Sequence, residues 1–243
     1  MIFRCLTELF VPFATGGYDL NVMATLTAPI PQAAPITMAD LLEQLGGIPP
    51  FRVRLRPPPG EATESDVLAL HDHEHRLFEL VDGVLVEKAM GYRESLLAMF
   101  IGELLNSFVR RANLGLVTGA DGMMRLFPRN VRIPDVAFVA WHRIPGGRVP
   151  TAPIPDLTPD LAVEVLSKSN TAAEMARKRK ECFAGGCSLV WQVDPDARNV
   201  SVFTSEENVV VLDENAQLNG GNLLPGFNLS VGEMFSQLDR KEP

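Results

Sequence analysis

The chain has 243 residues, of which 46% are hydrophobic and 21% are charged, as in an ordinary globular protein with one good core. No apolar run approaches the ~20 residues that a membrane-spanning helix requires, so a transmembrane protein is excluded. The formal net charge of −8 argues against a protein that coats nucleic acid over its whole surface, although it is compatible with a local basic groove. The three cysteines cannot all pair within the chain, and we therefore expect a reducing, cytoplasmic environment.

Residues 1–36 are predicted to be a peripheral N-terminal extension and linker. Their apolar start is interrupted by Glu8 and Pro12 and is followed by no convincing cleavage site, so we do not expect a signal peptide. The end of this segment is rich in proline and alanine, which do not support a regular element there. Translation from Met23 is an alternative, because nothing downstream requires the residues before it. Residues 37–243 are predicted to form one domain.

Two amphipathic helices are predicted in the first half of this domain, with a partly helical segment between them. A short helix begins after Thr37, which is a good N-cap residue. Residues 63–76 are acidic and are expected to include a helical turn or two. Residues 92–111 form the first long helix, whose core stripe is Leu96, Leu97, Phe100, Ile101, Leu104, Leu105 and Phe108.

A β-hairpin is predicted at residues 77–87. Two β-prone runs meet at Asp82 and Gly83, a pair that is typical of a tight two-residue turn. Glu79 belongs to the first run and faces the same side as the apolar residues two positions away, because side chains alternate along a strand. The hairpin therefore carries an acid on an apolar side.

Two later runs, residues 133–139 and 160–167, are predicted to be strands buried on both faces, because each is short and rich in Val, Leu, Ile or Phe. Asp135 opens the first run and Glu164 lies in the middle of the second. A buried strand has no ordinary use for a carboxylate, since burying an unpaired charge is costly. These two acids are the strongest functional signal in the chain. Other predicted strands are residues 115–118, 122–126, 188–194, 200–203 and 209–212.

The second main helix is predicted at residues 171–185, with Ser169 or Asn170 as the N-cap. Lys178 lies at the edge of its apolar stripe. The cationic run at residues 177–180 either faces a phosphate backbone or forms a solvated helix face. The cations that could widen a phosphate-binding patch are Arg125, Arg129 and Arg132. A last helix is predicted at residues 231–238.

The order of these elements indicates a mixed β-sheet flanked by helices, of the α/β (α+β) class. Two carboxylates at corresponding positions of neighbouring strands can bind one Mg²⁺, which prefers oxygen ligands. A nearby lysine would then orient the nucleophile or stabilise developing negative charge. The alternative is structural: Asp135 starts a strand with its side chain in solvent, and Glu164 pairs with Lys178 or Arg125.

Three histidines, His71, His73 and His75, alternate along a polar segment and could gather a transition metal if that segment were extended. An exposed polar loop explains the same spacing. We favour the loop, because no second cluster of ligands is evident.

Several segments resemble the Uma-type (Uma-two) family of restriction-endonuclease-like proteins, within the PD-(D/E)XK nuclease superfamily. The similar segments are residues 78–83, 133–139, 160–167, 189–195 and 224–227 and the helix with Lys178, in the family's order across residues 37–240. The resemblance implies a restriction-endonuclease-like mixed sheet and an Mg²⁺-dependent phosphodiesterase, with Mn²⁺ as a substitute ion. It also implies that Glu79, Asp135 and Glu164 are the metal ligands.

The resemblance further implies a lysine in the site. This lysine is expected two residues after Glu164, but Leu166 stands there, and Lys178 matches the family's lysine on the following helix. Lys168 is a rival for the same role, because it replaces a usual proline close to the strand's end. We favour Lys178, since a helix holds its donor more firmly than a loop.

From these residues we predict an endonuclease that hydrolyses nucleic acid, with DNA favoured over RNA, through Asp135, Glu164 and Lys178. A homodimer is expected, because two-strand cleavage benefits from two-fold symmetry. Two alternatives stay open: a catalytically inactive nuclease fold that acts as a binding or scaffold module, and a metal-dependent hydrolase of a small phosphorylated molecule.

Overall fold

The computed structural model of the protein describes residue 35 and residues 37–239. The predicted extension at residues 1–36 lies outside the described residues, apart from Pro35. The helices are α1 (Met38–Gln44), α2 (Glu64–Glu74), α3 (Tyr92–Arg111), α4 (Ala172–Ala184) and α5 (Val231–Ser236). The strands are β1 (Val53–Arg54), β2 (Phe78–Val81), β3 (Val84–Glu87), β4 (Gly115–Thr118), β5 (Met124–Phe127), β6 (Asn130–Arg132), β7 (Val136–Ala140), β8 (Leu161–Val165), β9 (Leu189–Asp194), β10 (Asn199–Phe203), β11 (Val209–Leu212), β12 (Gln217–Gly220) and β13 (Leu224–Ser230).

The largest sheet has six strands in the order β11-β10-β9-β8-β7-β4. Strands β8 and β9 are parallel and the other neighbours are antiparallel. A parallel pair needs a crossover connection, and α4 supplies it. A five-stranded sheet follows the order β1-β3-β2-β6-β5, and β12 pairs with β13. The predicted mixed sheet flanked by helices is confirmed.

The predicted hairpin is present as β2 and β3, which are antiparallel. Its turn residues Asp82 and Gly83 both have positive φ, 51° and 78°, as the tight mirror-image turn of a hairpin requires. The chain leaves the five-stranded sheet at the end of β6 and enters the six-stranded sheet at β7 after only residues 133–135. Strand β6 pairs with β2. The acid of the hairpin is thereby brought close to the start of β7.

Helix α3 has the predicted bounds and packs on the six-stranded sheet. Its buried residues are Leu97, Ala98, Ile101, Leu105 and Val109. The predicted stripe is therefore correct at its centre, whereas Leu96 is 38% exposed. None of the helices in the described part of the chain is long and apolar enough to cross a membrane.

Two other helices differ in detail from their predictions. Helix α2 has 11 residues, more than the one or two turns expected. The N-cap of α4 is Thr171 rather than Ser169 or Asn170. Thr171 is the N-cap because its hydroxyl accepts a hydrogen bond from the amide of Glu174 at 3.0 Å while the Glu174 carboxylate accepts one in return, which forms a capping box.

Candidate active site

Asp135 and Glu164 lie on neighbouring antiparallel segments of the six-stranded sheet, where Val136 is opposite Val163. Asp135 is 4% exposed and Glu164 8% exposed. One carboxylate oxygen of Asp135, Oδ2, accepts a hydrogen bond from the amide of Val165 at 2.7 Å. The solvent-exposed alternative for Asp135 is therefore wrong, and the two acids lie side by side inside the protein.

Glu79 reaches the same region from β2 and is fully buried. Its Oε1 accepts a hydrogen bond from the amide of Ile133 at 3.2 Å, and its Oε2 lies 2.8 Å from Nη1 of Arg132. Ile133 belongs to the short link that ends at Asp135. The link therefore holds the hairpin acid next to the two strand acids.

Lys178 lies among these acids, within the buried face of α4 rather than at its edge. Its Nζ is 3.0 Å from Oε1 of Glu79 and 3.3 Å from Oε2 of Glu164. The expectation of an edge position was wrong, because an amphipathic pattern counts every charged residue as exposed. The acids on the strands supply partners that allow this ammonium group to be buried.

The pKa values of Glu79 and Glu164 shift in opposite directions. Burial raises the pKa of Glu79, but the positive charges of Lys178 and Arg132 outweigh it and lower that pKa to about 2. Burial raises the pKa of Glu164 to about 7, since the positive charge of Lys178 only partly offsets burial and the carboxylates of Asp135 and Glu79 raise it further. Burial lowers the pKa of Lys178, yet Glu164 and Glu79 raise it above its ordinary value. Lys178 therefore favours the charged form of Glu79, whereas burial and the neighbouring carboxylates favour the protonated form of Glu164.

Sequence reasoning missed a second buried lysine, Lys88, whose side chain is 3% exposed. Its Nζ lies 2.9 Å from Oδ1 of Asp135 and donates to the carbonyls of Ile133 at 2.6 Å and Ala120 at 3.1 Å. The position of Lys88 could have been found from strand periodicity. Val86 is the cross-strand partner of Glu79, and the period of two places Lys88 on the same face of the hairpin.

The donor set fits a hard divalent cation in its chemistry, because it consists of three carboxylates from Glu79, Asp135 and Glu164. Oδ1 of Asp135 is buried and accepts no hydrogen bond from any described residue, although Lys88 is close to it. Among the residues that the structure describes, no three His, Cys, Asp or Glu side chains form a ready metal-binding group. Lys178 instead contacts Glu79 and Glu164, and Lys88 contacts Asp135. An ion such as Mg²⁺ would have to replace lysine contacts.

Two clefts meet near this site. The first, about 810 Å³, runs along α3 from Ser95 to Arg111 and has Asp135 in its wall. The second, about 510 Å³, is lined by Lys88 and by Lys168, the exposed lysine in the loop after β8 that the sequence offers as a rival of Lys178. Lys178 lines neither of them.

The histidine cluster is not a metal site. His71 and His73 lie on α2, where residues two apart do not face each other, and His75 lies just past its end. No metal-binding group of these residues exists within the described part of the chain. The three side chains are exposed, as expected, but the prediction of a loop is wrong because His71 and His73 are helical.

Most cations that were considered for a phosphate-binding patch have partners within the protein. In the run at residues 177–180, Arg177 bonds Asp82 at 2.6 Å, Lys178 is buried and Arg179 covers the ring of Phe203. The three arginines that were expected to widen the patch are bound to other groups: Arg125 to Glu64, Arg129 to the carbonyl of Gly60, and Arg132 to Glu79 and Glu181. These cations stabilise the interior and its borders.

Comparisons with known proteins agree with this architecture. The model of the Uma2 family, described as "Putative restriction endonuclease", matches residues 64–232. A crystal structure described as "a putative nuclease belonging to DUF820" from Anabaena variabilis is similar, with 23% identity and a TM-score of 0.61, over 68% of this chain and 92% of that chain. None of the curated proteins that were compared matches. The matched region contains all three acids and both buried lysines.

Proposed function

The chain belongs to the Uma2 family, and from this membership we propose that it is an Mg²⁺-dependent endonuclease that hydrolyses nucleic-acid phosphodiester bonds. One observation carries the proposal. Asp135, at the entry to β7, and Glu164, on the neighbouring β8, lie buried with Glu79 beside them, a concentration of negative charge for which an apolar core has no use.

The three carboxylates of Glu79, Asp135 and Glu164 would hold the metal. When bound there, Mg²⁺ supplies polarisation of a phosphoryl oxygen and a lower pKa for a coordinated water. The protein's own groups prepare the site. The amides of Val165 and Ile133 orient the carboxylates of Asp135 and Glu79, and Lys178 keeps Glu79 and Glu164 together.

The first cleft is the proposed path for the nucleic-acid strand. It follows α3 for about 24 Å, from Ser95 to Arg111, at a rise of about 1.5 Å per residue. Asp135 contributes to its wall, and Arg110 and Arg111 line it from the last turn of α3, where they can contact phosphates. We propose DNA as the substrate. RNA of the same sequence is the comparison that tests this choice.

The test of the function is cleavage of duplex DNA in the presence of Mg²⁺ by the wild-type chain and by Asp135→Asn. We expect the variant to lose at least about 10²-fold in rate, because the substitution removes a charged oxygen ligand. Asp121→Asn is the matched control, since Asp121 is exposed. Equal rates for wild type and Asp135→Asn, with melting curves showing that both are folded, would refute the proposal.

A second candidate function is that of a binding module with an inactive nuclease fold. The presence of Leu166 at the position where a lysine is expected favours this candidate. Calorimetry with Mn²⁺ separates the two functions. An active site binds the ion in a manner that depends on Asp135 and Glu164. A binding module shows no heat of binding that these substitutions remove.

We also propose that the protein acts as a two-fold dimer, because the two strands of a duplex are related by two-fold symmetry. Light scattering of the purified chain, with and without a short DNA duplex, measures this directly. A mass equal to one chain under both conditions would contradict the dimer and leave the proposed chemistry intact.

A further inference from the structure

We propose that Lys88, rather than Lys178, is the cation that contacts the phosphate of the substrate. This inference rests on the proposed nuclease function and deepens it by dividing the work between the two buried lysines. It also explains how the site can act with Leu166 in place of a lysine.

Access separates the two lysines. Lys178 lies between Glu79 and Glu164 and lines neither cleft. Lys88 lines the second cleft, and its partner Asp135 lines the first. The pair of Lys88 and Asp135 therefore stands at the boundary between the two openings through which a phosphate could approach.

Each of the three donors of Lys88 has a partner, and only one of these partners is a side chain. An ammonium group has three donors, and two of them are used by the carbonyls of Ile133 and Ala120. The third donor faces Oδ1 of Asp135 at 2.9 Å, with which Lys88 forms a buried ion pair. The two carbonyls can keep the ammonium in place while the remaining N–H turns to a phosphate oxygen.

The carbonyl contacts also give Lys88 the fixed position that a loop lysine lacks. Ile133 belongs to the link that ends at Asp135, and Ala120 belongs to the wall of the first cleft. Lys168, by contrast, is exposed in the loop after β8. A charge that is held by backbone groups of two different segments is better placed to meet a phosphate than an exposed charge in a loop.

The division of roles is tested by DNA binding without a metal. Binding of a labelled duplex is measured by fluorescence anisotropy in EDTA over a range of salt concentrations, for wild type, Lys88→Met and Lys178→Met. A lysine that contacts one phosphate contributes about 0.9 to the slope of log K against log salt. We expect Lys88→Met to reduce the slope by about this amount and Lys178→Met to leave it unchanged.

Lys180→Met, in which an exposed lysine of α4 is removed, is the matched control and should also leave the slope unchanged. With Mg²⁺ present, Lys88→Met should lose about 10²-fold in turnover, and Lys88→Arg should recover part of it, because arginine restores the charge. If melting curves show that Lys88→Met is unfolded, Lys88→Gln takes its place.

The outcomes are distinct. A slope that changes in Lys178→Met but not in Lys88→Met would overturn the inference while leaving a nuclease in place. Equal slopes in wild type and both lysine variants would overturn it as well. Absence of both DNA binding and cleavage by the wild-type chain would instead overturn the proposed function, before any variant is compared.

Discussion

The two faces of the six-stranded sheet are both covered by a helix, and they differ in what the helix buries. Alternation along the strands turns Val136 and Val163 toward α3, in an apolar cluster with Leu97 and Ile101. The other face is covered by α4, whose buried residues are Glu174, Met175, Lys178, Glu181 and Cys182. One face is thus an ordinary core, and the other combines apolar packing with a network of ion pairs.

The difference shows which face serves stability alone. Each large apolar side chain buried under α3 contributes about 1.5–3 kcal/mol. In buried ion pairs such as Arg52 with Glu174 and Arg132 with Glu181, the favourable free energy of attraction is about as large as the cost of desolvation. Apolar residues would therefore stabilise this face at least as well. Stability alone therefore does not explain the buried charges under α4. The Arg52 pair, which the sequence pattern did not reveal, anchors the start of that helix.

Lys178→Met tests the charged face with the largest expected effect. The free energy of unfolding at pH 8 should fall by about 3–5 kcal/mol, because Glu79 and Glu164 lose a buried counter-charge. Lys180→Met, on the exposed side of the same helix, should change it by less than about 0.5 kcal/mol. Urea denaturation measures both. An unchanged midpoint in Lys178→Met would mean that the contacts with the two glutamates carry no energy.

Ile101→Ala tests the apolar face. Ile101 is fully buried, and its truncation should lower the free energy of unfolding by about 3 kcal/mol through lost burial and the cavity that remains. The folded fraction should bind and cleave DNA as wild type does, because no acid or lysine of the site is touched. A loss of DNA binding by the folded variant would show that the two faces do not act separately.

The charged face should also make stability depend on pH. The pKa of Glu164 rises from 4.5 in the unfolded chain to about 7 in the folded one, so the folded state binds more protons between these values. Stability from this group is complete below pH 4.5 and decreases by up to about 3 kcal/mol as pH rises through 7. Glu79, with its pKa of about 2, has the opposite sign and loses its contribution as pH falls below 4.5.

Glu164→Gln isolates this effect. Denaturation of the metal-free protein in steps from pH 5 to pH 8 should show a decline in wild type that is flatter in the variant. Parallel curves for the two proteins would contradict a raised pKa at Glu164. Ile101→Ala is the control, since it should lower the wild-type curve without changing its slope.

Leu96→Ala should have the smallest effect on stability, and it tests whether Leu96 belongs to the apolar face. The helical pattern places Leu96 in the core stripe, but it is 38% exposed in the structure. We expect a loss of less than about 1 kcal/mol, against about 3 kcal/mol for Ile101→Ala on the same helix. A loss equal to that of Ile101→Ala would favour the stripe as the sequence predicted it.

Local sequence patterns were sufficient for most regular elements and for singling out Asp135 and Glu164, whereas Glu79 entered the candidate site through the family resemblance. The bounds of α3, the hairpin with its Asp82 and Gly83 turn, and the buried strands around Asp135 and Glu164 all follow from side-chain periodicity and turn chemistry. These two acids were recognisable because Asp135 opens an apolar run and Glu164 lies in the middle of another. A carboxylate in such a run is conspicuous without any knowledge of its partners.

Only the tertiary structure decided which cations meet these acids. Periodicity assigns lysines and arginines to solvent, so Lys178 was expected at an edge, Arg132 was considered for a phosphate-binding patch, and Lys88 was not singled out. Their burial depends on carboxylates that arrive from distant segments: Glu79 from the hairpin, Asp135 from the link between two sheets, and Glu164 from the next strand. Compensation between charges far apart in the chain is a property of the folded protein, and no local pattern encodes it.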